Sequence, residues 1–181
     1  MNKNTIVINI AGGPGVGKTT ISANLFSKLK EKGYEVENVS EFAKELVWEG
    51  RNEAFNDRLY MHAEQNHRLM QMNGKLDYII TDSPLFLTSI YNSYYLKDKF
   101  KDSYNNMIDN VVKETFSYYT NKVYFLQRQT QYNSVGRREQ ISDAKNIDEA
   151  IIKYLKENNI KYKSVSLDNA IELILNDLEE L

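Results

Sequence analysis

The chain has no cysteine and only two prolines and two histidines among its 181 residues. Without cysteine there is no disulfide and no thiolate zinc site. His62 and His67 stand five apart on a predicted helix. That is a poor spacing for a shared metal, and both are expected to face solvent or a polar cleft. No apolar run approaches the length of a membrane span. Met1-Asn2-Lys3-Asn4 leads straight into an apolar strand, so no signal peptide is read and the cytoplasm is the expected compartment. A net charge of −2 gives no bulk drive toward nucleic acid, although a local basic groove stays open as an alternative. No linker, repeat or low-complexity segment interrupts the chain. Its length suits one domain with one substantial core, over residues 1–181.

What is present is more telling. Gly12-Gly13-Pro14-Gly15-Val16-Gly17-Lys18-Thr19 matches G-x-x-x-x-G-K-[ST]. It follows the apolar run Thr5–Ala11, which reads as a buried strand, and precedes a helical pattern. Strand, loop and helix in that order are the context in which this pattern is a phosphate site. Glycines at 13, 15 and 17 let the backbone wrap an anion with its N–H groups inward, joined by those of Val16, Lys18, Thr19 and Thr20. A helix starting near Gly17 adds unpaired N–H groups and a partial positive charge. Lys18 is placed to reach the β- and γ-phosphates, and the Thr19 hydroxyl to ligate Mg²⁺. The implied cofactors are ATP and Mg²⁺.

Apolar runs and helical patterns alternate from there to the C-terminus. Strands are expected at about 34–40, 76–81, 122–126 and 162–167, with helices between them, one of these over about 52–72, and Asp168 capping the last. Alternation of this kind predicts an α/β fold: a mostly parallel sheet of about five strands, covered by helices on both faces. Ligands of such sheets sit at the carboxyl ends of the strands. The loop, Glu41, Asp82 and Arg128 each follow a predicted strand, so all four are expected on one edge.

Asp82 ends an apolar strand, where a P-loop protein holds Mg²⁺ or a bound water. The bland alternative is a cap for the helix opened by Pro84. Glu41 could accept the proton of an attacking hydroxyl or bind a sugar hydroxyl; alternatively it is a first-turn glutamate favoured by the helix dipole. Arg128, Arg137 and Arg138 lie in or beside a polar segment, 128–142, which reads as an arginine-bearing lid with a permissive point at Gly136. The alternative is a solvated loop. Arg58, His62, Gln65 and Arg68 share one side of the middle helix and read as a polar helix surface more readily than as a substrate pocket. Tyr91, Tyr94 and Tyr95 could stack a ring or serve packing.

Gly-Gly-Pro-Gly-Val-Gly-Lys-Thr-Thr (12–20), Ser-Glu-Phe-Ala-Lys-Glu (40–45), Gln65 and Thr-Asp-Ser-Pro-Leu (81–85) together resemble the AAA-labelled P-loop kinases related to the ribosylnicotinamide kinase domain of the bacterial NAD-regulator protein, a phage-type group of small kinases. The resemblance covers most of the chain. It implies that Lys18 and Thr19 hold ATP·Mg²⁺, that Asp82 and Glu41 face the acceptor, and that lid arginines contact phosphates. The AAA label does not require a ring ATPase.

The expected activity is transfer of the ATP γ-phosphate to a nucleoside, nucleotide or related small molecule, with a hydroxyl of DNA as the alternative acceptor. No membrane partner is implied, and a homodimer is one option for the assembly. A GTPase switch would carry Asn-Lys-x-Asp after a late strand. The Asn-Lys in the later half of the chain, Asn121-Lys122, is expected ahead of its strand and lacks the aspartate. A ring ATPase would want Asp-Glu to polarise water, but Ser83 and Pro84 follow Asp82.

Overall fold

The computed structural model describes residues 3–129 and 141–180, with the side chains of 141 and 142 excepted. Among the described residues there are five strands: β1 (Ile6–Ala11), β2 (Val36–Val39), β3 (Tyr78–Thr81), β4 (Thr120–Leu126) and β5 (Lys163–Val165). They form one sheet in the order β2-β3-β1-β4-β5, and every pairing is parallel. The helices are α1 (Lys18–Glu31), α2 (Phe42–Trp48), α3 (Arg58–Met70), α4 (Leu87–Tyr95), α5 (Asp102–Ser117), α6 (Ile141–Glu157) and α7 (Ala170–Glu179).

The central strands β1 and β3 and the second half of β4 are buried on both faces because helices cover both, whereas the edge strands β2 and β5 carry exposed polar residues. Val7, Ala11, Ile79, Val123 and Phe125 point to the side where Leu69 of α3, Phe86, Ile90 of α4, Val112 of α5 and Ile151 of α6 complete one core. Ile8, Ile10, Ile80, Tyr124 and Leu126 point the other way, against Leu25 of α1 and Ile174 of α7. The alternation is the two-residue period of a strand.

Several expected boundaries shift. The helix expected over 52–72 is a 3₁₀ turn, Asn52–Asn56, followed by α3. The break has a local cause: Asp57 caps α3 by accepting the Tyr60 N–H at 3.0 Å. Asn169, not Asp168, is the N-cap of α7, and Asp168 instead accepts from Gln129 Nε2 at 3.1 Å. Strand β4 begins at Thr120, so Asn121 and Lys122 lie inside it. There Asn121 Oδ1 accepts from the buried Asn9 Nδ2 at 2.9 Å.

The C-terminal helix is locked by one carboxylate. Asp177 is buried, accepts from Tyr124 Oη at 2.6 Å and Lys122 Nζ at 3.3 Å, and pairs with the exposed Lys163. Asp177→Ala leaves the buried Tyr124 hydroxyl without its acceptor and is expected to cost about 2–3 kcal/mol in urea unfolding, whereas Lys163→Ala, at an exposed site, is expected to cost clearly less. Equal losses would contradict this assignment.

Candidate active site

Strands β1, β2, β3 and β4 all release the chain at the same sheet edge, which brings together the loop of 12–19, Glu41, Asp82 and Arg128. The loop turns through left-handed backbone at Gly15 (φ 79°) and Gly17 (φ 99°), which glycine adopts without strain. Gly17 is the N-cap of α1 and carries no side-chain cap, so the first-turn N–H groups are left to an anion. Val16 buries its side chain in the core, so its backbone alone is available to a ligand. Lys18 Nζ donates to the Gly13 carbonyl at 3.1 Å and lies across the loop. Thr19 and Thr20 are exposed in the first turn of α1 and line the same cavity.

Asp82 is 4% exposed. Its Oδ2 accepts the Thr19 hydroxyl at 2.6 Å, while Oδ1 is buried with no hydrogen-bond partner. It does not cap the following helix, since α4 starts at Leu87 with Phe86 as its N-cap. A buried carboxylate oxygen left unsatisfied is costly, and a hard cation beside Thr19 would relieve it. Among the described residues no cluster of three or more His, Asp or Glu side chains could hold a metal alone. Thr19 and Asp82 therefore suit Mg²⁺, which takes few protein ligands and fills its octahedron with phosphate oxygens and water.

Arg128 does not reach over the loop as a lid residue would. Its Nε donates to Asp148 Oδ2 at 2.6 Å, and both side chains are mostly buried. The other Asp148 oxygen accepts the Gly13 N–H at 2.6 Å. A side chain at Gly13 would strike Ala144 O and Asp148 Oδ1, each 2.7 Å from its Cβ. Arg128 and Asp148 thus brace the phosphate loop against α6. Arg137, Arg138 and Gly136, and with them most of the expected lid, lie outside the described residues.

A cavity of about 330 Å³ opens from the loop toward α2, α3 and α4. Glu41, the N-cap residue of α2, is part of its wall, as are the loop and an aromatic end. That end is formed by Phe42, Phe55, Met61, Tyr91 and Tyr95, with the exposed Trp48 at its rim. The rings of Tyr91 and Tyr95 stack at 6.1 Å. Tyr94 turns away, and its hydroxyl bonds Asp143 at the start of α6.

The polar side of the middle helix is not a solvated surface. Arg58, His62, Gln65 and Leu69 are all buried. Gln65 accepts the Phe42 N–H at 3.0 Å and so positions the start of α2. Arg58 lies over the Tyr91 ring at 5.8 Å. Arg68 makes two bonds to Glu45, at 2.7 and 2.6 Å, outside the cavity. His67 is exposed as expected, whereas His62 is 3% exposed, between two threonine hydroxyls. Asp148 and the His62 pair were not legible beforehand, because their partners are distant in sequence.

A family model described as an AAA domain matches residues 7–171. The chain belongs to that family. Its fold is similar to that of NadR in complex with NR, with a TM-score of 0.71 and 17% identity over 91% of this chain and 46% of that one. The chain thus spans about half the length of that protein. It is also similar to deoxyadenosine kinase from M. mycoides with bound dATP, with a TM-score of 0.63 and 21% identity over 96% of this chain and 99% of that one. A second structure of that enzyme, with products dCMP and a flexible dCDP bound, gives a TM-score of 0.59 and 20% identity over 97% and 100%. No curated protein sequence matches significantly. At these identities the likeness is one of fold, and it agrees with the expected α/β P-loop architecture and the resemblance to the NAD-regulator kinase domain. Among the described residues no helix is long and apolar enough to cross a membrane.

Burial alone pushes the His62 imidazole down from 6.5 to about 4. The folded chain therefore binds fewer protons than the unfolded chain between these values, and stability falls as pH drops from 6.5 to 4. The stability advantage of wild type over His62→Gln is expected to shrink across that window by on the order of 3 kcal/mol, read from urea unfolding at each pH. A gap that does not vary with pH would contradict a neutral, buried His62.

Proposed function

We propose that the protein is a kinase that moves the γ-phosphoryl group of ATP to a hydroxyl of a nucleoside, a nucleotide or a related ring-bearing small molecule. The observation that carries this reading is the shared cavity: the phosphate loop, Glu41 and an aromatic pocket line one space. The names of the similar structures support the choice of acceptor, since one is a complex with NR and the others are of a deoxyadenosine kinase.

In this reading the loop N–H groups, other than that of Gly13 which Asp148 holds, and Lys18 grip the triphosphate, and the aromatic end holds the acceptor ring. The acceptor oxygen attacks the γ-phosphorus, the bond to the β–γ bridging oxygen breaks, and ADP leaves. Glu41 takes the hydroxyl proton. Thr19 and Asp82 would hold Mg²⁺, which supplies charge neutralisation on the phosphates. Catalysis is then mostly positioning and electrostatics, with water excluded from a partly apolar cavity. Arg137 and Arg138 are proposed to contact phosphates; Arg128 is proposed to act through the loop that it braces. The reaction would draw on cytoplasmic ATP.

Incubation with γ-labelled ATP and a panel of nucleosides, nucleotides, nicotinamide riboside and duplex DNA tests the reading. Label is expected on a small-molecule acceptor. Release of free phosphate alone would overturn it, and label on DNA alone would move the acceptor to the alternative class. Lys18→Ala is expected to abolish transfer in a folded protein. Asp82→Asn and Glu41→Gln are each expected to lower kcat by about 10²-fold or more. A loss below about threefold in either would remove that residue from the mechanism.

A further inference from the structure

Behind the aromatic end of the cavity a short polar chain runs through three helices. Thr88 on α4 lines the cavity. Its Oγ1 lies 3.2 Å from Nδ1 of His62 on α3, and His62 Nε2 lies 2.8 Å from Thr115 Oγ1 on α5. The direction of these hydrogen bonds follows from the last hydroxyl. Thr115 has one hydrogen and donates it to the backbone of its own helix, with Val111 O at 2.8 Å and Val112 O at 3.1 Å. Its oxygen therefore accepts from His62, and the imidazole proton is on Nε2. Buried imidazole is neutral and carries one ring hydrogen, so Nδ1 is an acceptor. The only hydrogen left for the contact between Thr88 and His62 is that of the Thr88 hydroxyl. Once this hydrogen is committed, Thr88 can offer a ligand nothing but a lone pair.

We propose that Thr88 is a specificity-determining residue that selects acceptors bearing an N–H donor on the ring system and disfavours those presenting a lone pair at that place. Thr88 and Tyr91 are three apart on one face of α4, and both line the cavity. A ring held against Tyr91 would then present an edge toward Thr88. A ligand lone pair at that edge would leave two acceptors facing each other in a desolvated place, and discrimination of about 10- to 100-fold is the expected scale. The proposal rests on reading this cavity as the acceptor site.

The test uses pairs that differ at one exocyclic group: adenosine against purine riboside and cytidine against 2-pyrimidinone riboside, in which a C–H replaces the N–H donor, and nicotinamide riboside against nicotinic acid riboside, in which a carboxylate lone pair replaces it. Binding is followed by calorimetry and transfer by label from ATP. Wild type is expected to favour the N–H-bearing member of at least one pair by about 10-fold or more in both measurements. Thr88→Val is expected to bring that ratio within about threefold, and Thr88→Ser to retain it. Nitrogen NMR of the folded protein is expected to show the His62 proton on Nε2. Wild type binding both members of every pair equally, Thr88→Val keeping the preference, no ligand of the panel binding, or a proton on Nδ1 would each overturn the proposal. Preferential binding without phosphate transfer would overturn the kinase reading and leave this one standing. Transfer without preference would do the reverse.

Discussion

The parallel pairing of β1 with β3 is the constraint on which the site depends. In that register Asn9 stands opposite Thr81. The chain leaves β3 at Asp82 one residue later, level with Ile10, and leaves β1 two residues further on, at Gly12. The loop then needs only its glycine turns to bring α1 back over the same edge. As a result Thr19 meets Asp82 at 2.6 Å, although 63 positions separate them. The sheet hydrogen bonds fix a hydroxyl, a carboxylate and an uncapped helix start within one small volume. A slip of one residue in this pairing would turn Asp82 to the other face of the sheet.

A second constraint holds the loop from behind. Asp148 takes the Gly13 N–H with one oxygen and Arg128 with the other. Removing one member of a mostly buried ion pair leaves the other uncompensated, at about 3–5 kcal/mol. The arrangement ties the phosphate loop to α6, the helix that follows the segment 130–140. Anything that moves the start of α6 therefore acts on the loop. This gives Arg128 a part in the site different from the one its position at the end of β4 suggests.

The features legible in the sequence are those carried by local pattern. The strand before Gly12, the glycine loop, the helix from Lys18 and the carboxylate after Tyr78–Thr81 are each written in a few adjacent residues. The alternation that predicts a parallel sheet is likewise local. What stayed hidden depends on partners far along the chain. Gly13 and Asp148 are 135 positions apart, and His62 and Thr115 are 53 apart. Spacing of Arg58, His62 and Gln65 looks like a solvated stripe because a residue scale does not see the threonines, the tyrosine ring and the backbone N–H that receive them. The turn of 52–56 was hidden for a related reason: helical periodicity continues through it, and only the capping bond of Asp57 shows the break.

Glu41, the phosphate loop and the aromatic pocket matter together only if a bound nucleotide aims its terminal phosphate into the shared cavity. A crystal structure with Mg²⁺, a non-hydrolysable ATP analogue and an acceptor nucleoside tests this directly. The γ-phosphate is predicted on Lys18, the cation between Thr19 and Asp82, and an acceptor hydroxyl between that phosphate and Glu41, with the nucleoside ring against Tyr91. A nucleotide bound away from the loop, or an acceptor hydroxyl pointing away from the γ-phosphate, would contradict the account.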